Sequence, residues 1–146
     1  MTRRELLASA GILSTVLMSG ASFADNKGAS EISKDKLKKA VDTSFDCLKK
    51  GEACYSHCLD MLAQGDTSMN NCHPSLQNMM AACTAMTKVG TYGSAKTQSI
   101  KHLAAACADL CKECADACKL HAEHAVCKSC MEACNKCVDA CNDVAA

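Results

Sequence analysis

The fourteen cysteines of this chain sit at the intervals of a helical core seam, and that spacing constrains the fold more than any other feature. Cys107, Cys111, Cys114 and Cys118 fall at i, i+4, i+7 and i+11, while Cys127, Cys130, Cys134, Cys137 and Cys141 fall at i, i+3, i+7, i+10 and i+14. With 3.6 residues per turn, each set lies along one helical face, at the inward positions of a bundle helix. Two upstream segments keep the same rhythm less densely, as Cys47, Gly51, Cys54, Cys58 and Met61, and as Cys72, Leu76, Met79, Cys83 and Met86.

The spacing predicts four helices. The first runs from Ser33 to about Gln64 and stops at Gly65-Asp66-Thr67-Ser68. The second carries Pro74 in its first turn, where a missing N–H costs nothing, and reaches about Val89 before Gly90-Thr91-Tyr92-Gly93-Ser94. The third spans Ala95 to about His121 and the fourth about His124 to Asp143. No Gly or Pro separates the last two, so phase decides. Cys127 lies nine residues beyond Cys118, half a turn out of register on one continuous helix, and a reversal near His121 to Glu123 brings both cysteine sets to one core. The expected fold is all-α, an antiparallel up-down-up-down four-helix bundle over residues 33–146 with a cysteine-lined core.

Sulfur replaces the usual core. The chain has no Trp, two Phe and two Tyr against eight Met and fourteen Cys. Charge is balanced and unclustered, which leaves no footprint for nucleic acid, and no apolar run is long enough to span a bilayer. Residues 1–24 read as an export signal of twin-arginine type: Arg3 and Arg4 are the only arginines, Leu6 to Met18 is apolar, and Ser22-Phe23-Ala24 offers a cleavage site. Residues 25–32 read as a flexible lead-in, and the expected location is the periplasm or another extracytoplasmic compartment.

Three explanations compete for a tube of thiols. A disulfide-stapled structural module would suit export, but Cβ atoms one turn apart are about 5–6 Å from each other and a disulfide wants about 3.5–4.5 Å, so only bridges between helices are free of strain. Cys acting as a small buried hydrophobe accounts for one residue, not for nine on two helices. Metal is the third. Zn²⁺ asks for four converging ligands at each ion, whereas soft Cu(I) is content with two or three thiolates. About one Cu(I) per cysteine leaves a core with almost no net charge.

The runs Cys107-Ala-Asp-Leu-Cys111-Lys-Glu-Cys114-Ala-Asp-Ala-Cys118 and Cys127-Lys-Ser-Cys130-Met-Glu-Ala-Cys134-Asn-Lys-Cys137-Val-Asp-Ala-Cys141, joined through His121-Ala-Glu-His124, resemble the bacterial copper storage proteins. The resemblance implies four-helix bundles that associate into tetramers, hold many Cu(I) ions on core cysteines and supply copper-requiring oxidases. Helix two departs from it, with thioethers at Met79 and Met86.

The expected metal ligands are all fourteen cysteines, Cys47, Cys54, Cys58, Cys72, Cys83, Cys107, Cys111, Cys114, Cys118, Cys127, Cys130, Cys134, Cys137 and Cys141, although Cys72 beside Pro74 lies near the tube's edge. His57, Met61, His73, His121 and His124 fall at one end of such a bundle and form the expected entrance for copper, with Met69 in the turn as a transient ligand and His102 toward the opposite end. No haem or iron–sulfur motif and no nucleophile–base pair is present. The expectation is therefore storage of Cu(I) without catalysis, with a copper chaperone or detoxification sponge as the related alternative.

Overall fold

The computed structural model describes residues 31–146, and the segments read as signal and most of the lead-in lie outside the described residues. Four helices follow in order: α1 (Lys34–Ala63), α2 (Cys72–Tyr92), α3 (Thr97–Lys119) and α4 (Ala125–Ala145). α1 packs against α2 and α4, and α3 packs against the same two helices, so the four close a square around one core. The match to a four-helix bundle is complete in topology.

The breaks have local causes. Beyond α1, Gly65 takes φ 87°, a left-handed conformation that suits a residue without Cβ. A short 3₁₀ helix, Thr67–Asn70, then fills what the sequence read as plain turn, begun by Asp66 accepting from the Ser68 N–H at 2.9 Å. Pro74 is the third residue of α2 and displaces no helical hydrogen bond. α2 runs through Gly90 to Tyr92 and ends at Gly93, whose φ of 64° makes a left-handed C-cap with its N–H donating to the Val89 carbonyl at 3.3 Å. Gly90 stays helical because of a close approach: a Cβ there would stand 2.5 Å from Val41 Cγ2 on α1. The reversal argued from cysteine phase is present, with Leu120 capping α3 and His124, in extended conformation, opening α4.

The seams run the full length of the helices. α1 buries Ala40, Ser44, Cys47, Gly51, Cys54 and Cys58, and α2 buries Cys72, Leu76, Met79, Cys83 and Met86. On α3 and α4 the cysteines are flanked by buried Ala108, Ala115, Ala133 and Ala140, small residues that let the helices draw close. At the end that carries the α2–α3 turn, Ala40, Ile100, Ala104 and Val144, with the thioether side chain of Met86, close the core with chiefly hydrocarbon. The exposed ion pairs Lys38–Asp42 and Lys112–Asp116 support the outer faces and add little stability.

Candidate metal centre

All fourteen cysteines are fully buried with free thiols, and the bundle brings them into one column. Each helix contributes at seam spacing, so sulfurs meet both along a helix and across to its neighbours. Cys54 Sγ lies 3.6 Å from Cys127 Sγ and 4.0 Å from Cys118 Sγ, and Cys72 Sγ lies 3.6 Å from Cys118 Sγ. Further along, Cys47 Sγ lies 3.7 Å from Cys134 Sγ, while Cys83 Sγ stands 3.8 Å from Cys107 Sγ and 3.6 Å from Cys111 Sγ. Cys72, placed by sequence at the edge, is inside the column.

Five groups have ligand atoms mutually within 4.8 Å: Cys47, Cys83, Cys111 and Cys137; Cys54, Cys58 and Cys72; Cys54, Cys118 and Cys130; Cys107, Cys137 and Cys141; and Cys114, Cys130 and Cys134. Sharing of Cys54, Cys130 and Cys137 between groups suits a ligand that bridges. A soft cation that accepts two or three sulfurs fits such groups without rearranging the backbone.

Burial would raise every thiol pKa, and hydrogen bonding sorts them into two kinds. Thiols donating from Cys118 and Cys54 hold Cys72 down to about 3, those of Cys111 hold Cys107 down to about 5, and those of Cys111 and Cys134 hold Cys47 down to about 6. Cys130 and Cys137 are likewise lowered, Cys130 chiefly by Cys114 and Cys137 chiefly by Cys107. Desolvation leads in pushing Cys58 up to about 12 and in raising Cys127. Cys83, Cys111, Cys118 and Cys141 are raised because they serve as donors to these neighbours. Along α4, from Cys127 to Cys141, raised and lowered thiols alternate, and a monovalent cation that replaces a thiol proton adds no charge to the core.

At the end where the α1–α2 and α3–α4 turns lie, the side chains divide. His57 and His124 meet with ring centroids 4.7 Å apart, and His57 Nε2 is buried with no hydrogen-bond partner. His121 is buried, Met61 is half-buried at the next seam position after Cys58, and Met69 of the 3₁₀ helix is fully buried. His73 stands apart from the His57–His124 pair, with its ring stacked on Tyr55 at 4.9 Å. His102 is exposed on α3, hydrogen-bonded to Gln98 at 2.8 Å.

The sequence reading missed two features. Ser44 turns its hydroxyl inward, 3.5 Å from Cys137 Sγ, and the signal was its place three residues before Cys47 on the same seam. Gly51 leaves room for Met79, whose methyl would stand 2.7 Å from a Cβ at that position.

Residues 33–146 match the family model described as "Copper storage protein". Among solved structures, a cytosolic copper storage protein from Streptomyces lividans, described as loaded with five coppers, superposes with a TM-score of 0.70 at 25% identity, covering 77% of this chain and 93% of its own. A histidine-to-alanine mutant of Streptomyces lividans Ccsp gives 0.71 at 24% identity, covering 80% and 97%. No curated protein matches the chain. These structures correct the expected location: the relative is described as cytosolic, which points against export to the periplasm.

Proposed function

The chain belongs to the copper storage protein family, and from that premise we propose that it holds Cu(I) as cargo on its fourteen core thiols, about one ion per thiol, as a reservoir and not as a catalyst. The observation that carries this reading is the column itself. Its sulfurs are fully buried, lie in overlapping close groups and span four helices, which gives capacity instead of one selective site. Filling it with one monovalent cation per thiolate leaves the core uncharged, which is what makes burial of so many ligands affordable. Self-association into a tetramer and delivery to a copper-requiring oxidase belong to the same reading, on the family resemblance. One quartet, Cys47, Cys83, Cys111 and Cys137, also meets the four-thiolate demand of Zn²⁺, so zinc can compete there.

Copper enters this reservoir at the histidine-bearing end, where the α1–α2 and α3–α4 turns lie. The opposite end is closed by hydrocarbon, while His57 offers an unpartnered ring nitrogen one turn before Met61, and the seam leads from Met61 to Cys58. With His57→Ala and Met61→Leu together, the protein is expected to fill to the wild-type copper count about tenfold more slowly, a barrier increase of about 1.4 kcal/mol. Loading at the wild-type rate would put the entrance elsewhere. Loss of most of the capacity would place the ions at the mouth and contradict storage on the core thiols.

A further inference from the structure

The sulfur column is uneven along its length. At the histidine end lie the groups Cys54, Cys58, Cys72 and Cys54, Cys118, Cys130. At the closed end lie the quartet Cys47, Cys83, Cys111, Cys137 and the triad Cys107, Cys137, Cys141. Between these two halves, α1 and α2 carry no thiol. Their core positions there are Gly51, Leu76 and Met79, all buried, with the Met79 methyl occupying the space that Gly51 leaves. At a rise of 1.5 Å per residue, the step from Cys47 to Cys54 on α1 is about 10 Å and that from Cys72 to Cys83 on α2 about 16 Å. On α3 and α4 no step between successive cysteines exceeds four residues, about 6 Å.

Cu(I) travels between thiolates by ligand exchange. A Cu–S bond forms to the incoming sulfur, whose proton passes to the outgoing sulfur as the old bond breaks, and the ion stays Cu(I) throughout. The exchange needs two sulfurs close enough to share the metal. On α2 the Met79 thioether lies 3.7 Å from Cys83 Sγ, but Leu76 separates it from Cys72 and Gly51 leaves no donor on α1, so neither helix carries the ion across alone. The remaining route runs through Cys114, Cys130 and Cys134. Cys130 belongs also to the histidine-end group, and Cys114 groups with Cys130 and Cys134 but with none of the distal quartet. Cys134 crosses the bundle to Cys47, a member of that quartet, with the two sulfurs 3.7 Å apart.

Resting on the storage reading above, we propose that Cys134 is the relay through which Cu(I) passes between a histidine-end store and a distal store, so that the two fill in sequence and empty in the reverse order. The position is one of passage more than of capacity. Its loss should strand the distal sulfurs while leaving them intact.

The test follows Cu(I) uptake over time by the fully reduced protein, from a chromogenic Cu(I) complex, in wild type, Cys134→Ser and Cys141→Ser. Ser keeps the size of Cys and lacks the soft donor. Cys134→Ser should load its first ions at the wild-type rate and the remainder about tenfold more slowly. Cys141→Ser removes a thiol from the far end and should lose capacity with no slowed phase. If Cys134→Ser loses its helical circular dichroism, Cys134→Ala, with the best helix former at that position, takes its place and must show the same slow phase. Wild-type kinetics in the folded Cys134 variant would overturn the relay alone. Absence of Cu(I) uptake by the wild type would overturn the storage reading, and the relay with it.

Discussion

Filling the thiol column with Cu(I) is expected to raise the melting temperature of the bundle by more than about 20 °C. The metal-free core is poor in large hydrocarbon: its bulkiest fully buried side chains are Met69, Leu76, Met79, Met86 and Val144, and the rest of the seam is largely Cys and Ala. Cys buries less apolar area than Leu or Phe, so each layer contributes less than in an ordinary bundle. Copper adds covalent bridges between helices at each layer. A site occupied at one hundred times its dissociation constant stabilises the native state by about 2.7 kcal/mol, and each kcal/mol moves the midpoint of a domain near this size by about 4 °C or more. Binding to thiols of the unfolded chain offsets part of this gain, but two or three net sites suffice. Thermal denaturation by circular dichroism, under anaerobic reducing conditions with and without Cu(I), measures it. A shift within about 3 °C would mean that copper does not bridge the helices.

Replacing the five cysteines of α4 by Ser is expected to remove about half of the bound copper. Four of the five close sulfur groups contain an α4 cysteine: Cys137 is in two of them, Cys130 in two, and Cys134 and Cys141 in one each. The group Cys54, Cys58 and Cys72 is the one that survives intact. A thiol left with no second sulfur in reach holds Cu(I) weakly, since the soft ion needs at least two donors. Cys47, Cys83, Cys107 and Cys111 keep one another, Cys118 keeps Cys54 and Cys72, and Cys114 loses both members of its group, so capacity should fall to about half of wild type, on the order of seven or eight tightly held ions, measured against a competing chelator. Capacity near that of wild type would mean that the α4 thiols hold no copper and that the grouping in the bundle has no bearing on binding.

The parts of this molecule legible in the sequence were those written as repeats. Nine cysteines on α3 and α4 at unbroken seam spacing fixed both helices and their inward faces, and the half-turn phase error between Cys118 and Cys127 located a reversal that no Gly or Pro marks. Capping residues put the ends of α1 and α2 within a few residues. What periodicity does not encode is contact across the bundle. Ser44 facing Cys137, Met79 filling the space beside Gly51, and Cys134 meeting Cys47 all depend on how two helices are set in register, which spacing on either helix alone leaves open. The four residues between Asp66 and Asn71 read as turn, and they form a 3₁₀ helix that buries Met69. The histidines were placed at one end correctly as a set, but their pairing was not readable: His57 meets His124, while His73 turns to Tyr55. The location inferred from the first residues was overturned by a cytosolic relative, because an arginine pair followed by an apolar stretch is a weak pattern when read alone.

The central claim, that the thiol column is a copper store, is tested most directly by titrating the fully reduced protein with Cu(I) against a competing chromogenic chelator, beside a thiol count on the same sample. About one tightly held Cu(I) per thiol is the predicted result. Few ions bound while all fourteen thiols are counted free would contradict it.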